Sequence, residues 1–174
     1  MVIALTYENA DRFSEGLAPV YVYRNDAYSF IDKTGKVVFA LPSEYDEVSL
    51  FFEGLALVQK NGMYGFIDKT GKEVIPAIYD DAEVFSEGLA NVERNGKWGY
   101  IDKTGKVVIP LRYDVACPFS EGLAVVIEAY NVTDFIDKTG KTIISSFLLD
   151  AKPFSEGMAF VKAIAWDLIK HPLK

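Results

Sequence analysis

The sequence predicts an all-β protein made of tandem repeats of about 34 residues. Two six-residue strings recur along the 174 residues. Phe-Ser-Glu-Gly-Leu-Ala, or a close variant of it, begins at Phe13, Phe51, Phe85, Phe119 and Phe154. Ile-Asp-Lys-Thr-Gly-Lys begins at Ile31, Ile67, Ile101 and Ile136. Chance does not supply several copies of two such strings, so the period is the first guide to the architecture.

The glycines of the first string define the repeat boundaries. Their spacings are 38, 34, 34 and 35 residues, measured between Gly16, Gly54, Gly88, Gly122 and Gly157. These spacings predict a single repeat domain over residues 1–174. Its whole repeats are 13–50, 51–84, 85–118 and 119–153, with partial repeats at 1–12 and 154–174.

Three short strands are predicted in each repeat, and the first two form a tight hairpin. In the third repeat, Asn95 and Gly96 separate the alternating segments 89–94 and 97–102. Asn-Gly between alternating apolar residues is typical of a type I′ turn, because both positions need a positive φ. We therefore expect a hairpin here and a similar one at Asn61-Gly62.

A second turn and a short third strand follow the hairpin. Asp102 caps the turn Asp-Lys-Thr-Gly, and Gly105 is expected at positive φ, as are Gly35, Gly71 and Gly140. The β-branched run 107–109 is predicted to end at Pro110, which has no backbone N–H to donate to a ladder.

Alternation along the first strand separates a core face from a variable face. The core face carries an Ala and a Val two residues apart in every repeat: Ala18/Val20, Ala56/Val58, Ala90/Val92, Ala124/Val126 and Ala159/Val161. The opposite face is not constant and carries Pro19, Leu57, Asn91, Val125 and Phe160. On the second strand, a glycine lies between two aromatic residues, as Gly99 does between Trp98 and Tyr100. Such a glycine allows a neighbouring ring or backbone to approach closely.

The short period favours an elongated or superhelical array of stacked hairpins, because propeller repeats usually take about 40–50 residues. The alternative is a closed five-bladed, propeller-like ring, in which the N-terminal partial repeat completes the C-terminal one. In that last repeat, residues 158–163 are expected to form a strand, and 164–170 are left open between strand and helix.

The combined motif resembles a known family. Phe-x-Glu-Gly-Leu-Ala, Asn-Gly-Lys-Trp-Gly-Tyr-Ile-Asp-Lys-Thr-Gly-Lys and Val-Ile-Pro followed by Tyr-Asp are similar to the bacterial WG (or KWG) β-repeat, named for the dipeptide at Trp98-Gly99. The dipeptide is replaced at Tyr64-Gly65, Tyr28-Ser29 and Thr133-Asp134. The resemblance implies an all-β tandem-repeat protein. It implies no agreed biochemical activity and no catalytic residues.

Charge and composition exclude several classes of partner. Lys and Arg number 18 against 25 Asp and Glu, a formal net charge of −7. An acidic chain repels phosphate backbones, so no nucleic-acid partner is expected. The apolar runs are shorter than the roughly 20 residues that span a bilayer, so no membrane insertion is expected. The chain is expected to be cytoplasmic as it stands, or exported with a leader removed.

The recurring acids invite an enzymatic interpretation, which we weigh against a structural one. Each acid lies once per repeat beside a turn glycine, in the series Glu15, Glu53, Glu87, Glu121, Glu156 and Asp32, Asp68, Asp102, Asp137. That placement is typical of turn residues. His171 is the single histidine, and Cys117 replaces a spacer residue. We therefore expect no enzyme, no catalytic residue, no cofactor and no metal site.

Two lengthened hairpins mark the candidate partner-binding residues. In the second and third repeats, 14 residues separate the glycine of the first string from the Asp that caps the next turn. The separation is 16 residues in the first repeat, from Gly16 to Asp32, and 15 in the fourth, from Gly122 to Asp137. Insertions in repeat proteins usually map to loops on one face, often the binding face. Tyr and Arg are enriched at binding hot spots. The candidate residues are Tyr21, Tyr23, Arg24 and Tyr130, and the variable strand face is the alternative location.

The function predicted from these features is that of a non-enzymatic repeat scaffold. It acts as an interaction module for an unidentified protein or glycan. The alternative is a glycan-binding or glycan-processing domain that uses the repeated acids.

Overall fold

The computed structural model of the chain describes residues 9–24, 26–128, 132–148, 150–162, 166–170 and 172. Within these ranges every regular element is a β-strand, so the predicted all-β fold is confirmed. The chain divides into an N-terminal half, Met1–Val84, and a C-terminal half, Phe85–Lys174.

The N-terminal half contains two four-stranded antiparallel sheets, each with its strands in chain order. The first sheet consists of β1 (Asn9–Ala10), β2 (Leu17–Val22), β3 (Ala27–Asp32) and β4 (Val37–Ala40). The second consists of β5 (Tyr45–Phe52), β6 (Leu55–Lys60), β7 (Met63–Asp68) and β8 (Glu73–Tyr79). The short strand β9 (Asp81–Ala82) follows β8.

The C-terminal half repeats this pattern. Strands β10 (Leu89–Arg94), β11 (Lys97–Asp102) and β12 (Val107–Tyr113) pair in order. A four-stranded sheet follows with β13 (Val115–Ala116), β14 (Leu123–Glu128), β15 (Val132–Asp137) and β16 (Thr142–Leu148). The last sheet contains β17 (Asp150–Ala151), β18 (Met158–Lys162) and β19 (Trp166–Lys170). Residues 166–170, which the sequence left open between strand and helix, therefore form a strand, while 163–165 lie outside the described residues.

Three strands per repeat were predicted, but the complete sheets contain four. The additional strand precedes the Phe-Ser-Glu-Gly string and pairs with the first long strand, as Ala10 does with Val20 and Ala116 with Val126. Most copies have two residues, which is too short to produce an alternating pattern in the sequence. Two-residue turns leave room for four strands in a short repeat, and four is the strand number of a propeller blade.

The third long strand was predicted to end at its proline, but it continues beyond it. Strands β8 and β12 continue past Pro76 and Pro110 to Tyr79 and Tyr113. Each lies at the edge of its sheet, where proline is tolerated. The ladder is also irregular at this point, because its register shifts between Trp98 and Tyr100, the partners of Tyr113 and Ile109. A β-bulge therefore carries the strand past the proline.

The bulge explains the glycine between the two aromatic residues. A Cβ atom on Gly99 would lie 2.6 Å from the carbonyl oxygen of Ile109 and 2.7 Å from the backbone nitrogen of Leu111. Gly65 has the same relationship to the backbone of Ile75 and Ala77, at 2.6 and 2.7 Å. The expected close approach is therefore confirmed, and it is made by the backbone of the bulged strand.

Both predicted turns have the expected backbone conformation. Asn95 and Gly96 have φ values of 55° and 73°, as a type I′ turn requires. Gly105 has a φ of 82° in the following turn. There the carboxylate of Asp102 accepts hydrogen bonds from the backbone and hydroxyl of Thr104, at 2.9 and 2.6 Å.

The core lies on the Ala/Val face, as predicted, since every Ala and Val of that face is at most 3% exposed. Aromatic pairs join successive sheets within each half. The Phe51 ring, from the second repeat's string, lies 5.0 Å from the Phe30 ring in the first sheet. Tyr100 and Phe119 pack in the same way at 4.9 Å in the C-terminal half. The first residue of the string is thus an anchor between repeats.

Candidate binding clefts of the N-terminal half

The repeated glutamates connect successive repeats. The backbone N–H of Gly54 donates to the Glu15 carboxylate at 3.0 Å, and that of Gly122 donates to Glu87 at 2.9 Å. Gly157 makes the same bond to Glu121 at 2.9 Å. Each glutamate therefore binds the turn glycine of the following repeat. We call this arrangement the inter-repeat clasp.

A lysine and a serine complete the clasp. The ammonium group of Lys138 lies 3.1 Å from the Glu87 carboxylate and donates to the Glu87 carbonyl oxygen at 2.8 Å. The Ser86 hydroxyl donates to the carbonyl oxygen of Phe119 at 2.8 Å. Burial raises the pKa of Glu87, but Lys138 and the Gly122 amide outweigh it and hold that pKa below its ordinary value.

The clasp gives these carboxylates a structural role, as the sequence analysis expected. Their oxygen atoms are hydrogen-bonded at sites that recur with the repeat. The described part of the chain contains no group of three or more His, Cys, Asp or Glu residues arranged to hold a metal ion. Cys117 is half-buried and packs against an apolar cluster, and His171 lies outside the described residues.

Three of the four sequence-predicted binding residues lie together at the end of the first hairpin. Tyr21 is half-buried on β2, and its ring packs edge-on against Tyr23 at 5.2 Å. Tyr23 is 69% exposed and Arg24 is also exposed. Tyr130 falls on residues outside the described ranges, so its role stays a prediction.

Tyr21 is held in place from two sides. Its hydroxyl donates a hydrogen bond to the Asp26 carboxylate, which raises the pKa of Tyr21 to about 12. Its ring lies 4.9 Å from the ring of Tyr28, the residue opposite it on β3. These two contacts fix the orientation of the Tyr21 side chain.

A large cleft of about 330 Å³ opens beside these tyrosines. It is lined by Asn9, Ala10, Asp11, Pro19, Tyr21, Tyr28 and Val48. Val48 comes from β5 of the second sheet, so the cleft lies between the two sheets of the N-terminal half. Pro19 belongs to the variable strand face, and Tyr21 to the lengthened hairpin. One residue from each of the two locations proposed from the sequence thus lines the same cleft.

A small cleft of about 110 Å³ occupies the equivalent position in the second sheet. Its lining includes Glu47, Val48, Ser49, Leu57, Gln59 and Tyr64. Gln59 pairs with Tyr64 as Tyr21 pairs with Tyr28, and Glu47 pairs with Gln59 as Asn9 pairs with Tyr21. The two clefts are therefore repeats of one feature and share Val48.

Neither β5 nor the WG tryptophan position was predicted from the sequence to be part of the site. Tyr28 and Tyr64 take that position in the first two sheets, and both line a cleft. Val48 stands where other repeats have alanine, such as Ala116. Ser49 interrupts the regular ladder by accepting a hydrogen bond from the Leu57 amide at 2.9 Å. In the sequence, these departures from the repeat pattern were the signal that could have identified Val48 and Ser49 as site residues.

The variable face is not equally accessible in every repeat. Asn91 is 2% exposed, and its side-chain amide donates to the carbonyl oxygen of Ala116 at 2.8 Å. Val125 is also buried, whereas Phe160 is 58% exposed. Burial at the variable position therefore differs between repeats, from buried Pro19 and Asn91 to half-buried Leu57 and exposed Phe160.

Each cleft has one carboxylate in its described lining. Asp11 lines the large cleft and Glu47 lines the small one. Burial and the charge of Glu47 raise the pKa of Tyr28, and burial with Asp81 and Glu47 raises that of Tyr64. Neither lining, among the described residues, includes Lys or Arg. The clefts are thus aromatic and acidic.

The repeat pattern and the position of Tyr28 and Tyr64 agree with a family comparison. The model of the WG-containing repeat matches residues 1–23, 28–64, 64–98, 98–128 and 135–163. The chain belongs to the WG-repeat family. The sequence has no significant match among curated proteins. In this WG-repeat protein, the position that names the family faces the clefts in the first two sheets.

Solved structures are similar to the WG-repeat chain in fold. A eukaryotic initiation factor matches with a TM-score of 0.66 and 10% identity, over 95% of this chain and 51% of that one. Hsv2 of Kluyveromyces lactis matches with a TM-score of 0.60 and 8% identity, over 90% of this chain and 58% of that one. The chain therefore spans little more than half the length of these proteins. The similarity is consistent with the propeller-like alternative.

Strands account for all the regular structure described above. No helix in the described ranges has the length and apolar character needed to cross a membrane.

Proposed function

We propose that this WG-repeat protein is a non-enzymatic scaffold that binds an elongated segment of a partner protein. The supporting observation is the pair of repeat-equivalent clefts in the N-terminal half. Because they share Val48, one ligand can contact both without leaving the surface. A ligand that follows successive repeats is elongated, and an extended peptide has this form.

The tyrosines supply the chemistry of a binding surface. Tyr21, Tyr28 and Tyr64 are half-buried, so part of each ring is already packed and little side-chain freedom is lost on binding. A phenol offers an apolar ring together with a polar hydroxyl, which is why tyrosine is enriched at interfaces. Exposed Tyr23 extends this surface beyond the large cleft.

The clasp supports a non-enzymatic role. A glycosidase needs two carboxyl groups at a set separation with one pKa raised. Glu15 and Glu87 instead have lowered pKa values, because lysine and backbone donors outweigh the effect of burial. These features favour a scaffold over the glycan-processing alternative.

The experiment is a parallel screen of a displayed random-peptide library and a glycan array with the whole chain. We expect peptides that bind the wild-type protein and are lost from a Tyr21→Ala/Tyr23→Ala double variant. Val107→Ala/Val108→Ala is the matched control, since both are exposed apolar residues of the C-terminal half that lie outside the variable face. Binding of glycans alone, or of peptides that both variants retain, would contradict the proposal.

A further inference from the structure

The two clefts combine tyrosine rings with carboxylates in a specific arrangement around Glu47. Glu47 is exposed on β5, where it pairs with Gln59 and lines the small cleft. Its neighbour Val48 lines both clefts. Glu47 lines the small cleft together with Tyr64, and its charge also contributes to the raised pKa of Tyr28 in the large cleft. One carboxylate therefore influences the tyrosine of each cleft.

The same chain shows which group completes such an arrangement. The ammonium group of Lys60 lies 5.6 Å from the centre of the Tyr45 ring and 2.7 Å from the Glu44 carboxylate. A cation is thus held between a ring and a carboxylate in the same half of the protein. Arg112 contacts the Tyr113 ring at 4.9 Å in the C-terminal half. In the clefts, the described lining supplies the ring and the carboxylate but no cation.

We infer that the clefts bind a cationic segment of a partner protein, an inference that rests on the proposed function. Its Lys or Arg side chains contact the Tyr28 and Tyr64 rings and pair with the Glu47 carboxylate. Cations are attracted to the faces of tyrosine rings, and a nearby carboxylate adds charge pairing. The net charge of −7 also attracts a cationic segment from a distance.

The charge pattern distinguishes this partner from others. An acidic or phosphorylated segment would meet Asp11 and Glu47 as like charges. A neutral peptide or glycan could stack on the tyrosines and donate a hydrogen bond to Glu47, but its affinity would depend little on salt. An affinity that depends on both Glu47 and the salt concentration is specific to a cationic segment.

The probes are three fluorescent peptides of equal length with alternating arginine and glycine, citrulline and glycine, or glutamate and glycine. Citrulline keeps the shape of arginine without its charge, so the first pair isolates the charge. Fluorescence anisotropy gives their affinities for the whole chain at low and near-physiological ionic strength. We expect the arginine peptide to bind at least about threefold more tightly than the citrulline peptide, and the difference to shrink with salt.

The variants are Glu47→Gln and Asp46→Asn. Asp46 is also exposed on β5, one residue away, so both changes alter the net charge equally. Unlike Glu47, Asp46 lines neither cleft. We expect Glu47→Gln to weaken binding of the arginine peptide about threefold, and Asp46→Asn to leave it nearly unchanged. Thermal melting confirms that both variants fold.

Two outcomes would overturn the inference. Equal weakening by the two variants would show attraction by net charge rather than a site at Glu47. Equal affinity for the arginine and citrulline peptides, both lost in Tyr21→Ala/Tyr23→Ala, would disprove the cationic partner and leave the proposed function standing. If no library peptide binds the clefts, the proposed function itself is wrong.

Discussion

The backbone N–H of Gly122 donates a 2.9 Å hydrogen bond to the carboxylate of Glu87, a residue 35 positions earlier. The separation equals about one repeat, so the bond joins equivalent turns of successive sheets. Lys138 pairs with the same carboxylate from a third position in the chain. A sequence motif that looks like a local turn signal therefore acts between repeats, which couples their stabilities.

Removing this carboxylate should lower the free energy of unfolding. We expect Glu87→Ala to cost about 1–2 kcal/mol, because a charge-assisted hydrogen bond and an ion pair are lost. Glu156→Ala is the control: Glu156 has nearly the same φ, 54° against 53°, but lies in the last repeat. Urea unfolding measures both. Equal losses would assign the effect to backbone strain and not to the clasp.

Stability should fall in acid as the clasp and turn carboxylates protonate. Burial raises the pKa of Glu15, but Lys69 and backbone donors bring it below the ordinary value of 4.5. Hydrogen bonds from the Thr104 hydroxyl lower the pKa of Asp102 in the same direction. A lowered folded-state pKa gives stability that is fully present above the unfolded value and is lost as the pH falls through the folded one.

Melting temperatures measured from pH 7 to pH 3 test this expectation. We expect little change down to about pH 5 and a progressive decrease below it. The variant Lys69→Met/Lys138→Met removes the ion pairs of Glu15 and Glu87, so its decrease should be shallower. An acid decrease as steep as that of the wild type would exclude a contribution from these pairs.

Glycines with different roles should respond differently to alanine. Gly99→Ala forces a Cβ onto the backbone of Ile109 and Leu111, and we expect a loss of about 2–3 kcal/mol. Gly105→Ala introduces strain at a φ of 82°, with an expected loss of about 1–2 kcal/mol. Gly96 is the control for strain alone, since its Cβ would meet nothing within 4 Å. Unfolding curves that rank Gly99→Ala as the mildest would refute the bulge contact.

The hairpin tip should contribute to binding but not to stability. Tyr23 and Arg24 are both exposed, so the Tyr23→Ala/Arg24→Ala variant is expected to keep its melting temperature. Its affinity for a cleft-binding peptide should fall by about 1 kcal/mol or more, the usual size for a contributing contact. Calorimetric titration of the peptide measures this change. Unchanged affinity would confine the site to the clefts and the variable face.

The sequence by itself determined the repeat, the strand type and the tight turns. These features depend on local chemistry. Asn95 and Gly96 are adjacent residue types that tolerate a positive φ, and the alternation of apolar residues along the strand marks Ala90 and Val92 as core residues. It also pointed to Tyr21 and to Pro19 as candidate binding positions. Both line the large cleft.

Only the tertiary structure decided what those residues do together. The two-residue strands have no pattern of their own and exist because Ala10 and Ala116 pair with Val20 and Val126. The bulge past Pro110 requires the space above Gly99, which is a relationship between two strands. Val48 of the second sheet lines the same cleft as Tyr28 of the first, because the two sheets pack against each other. Contacts between repeats arise from packing, and a local pattern carries no information about them.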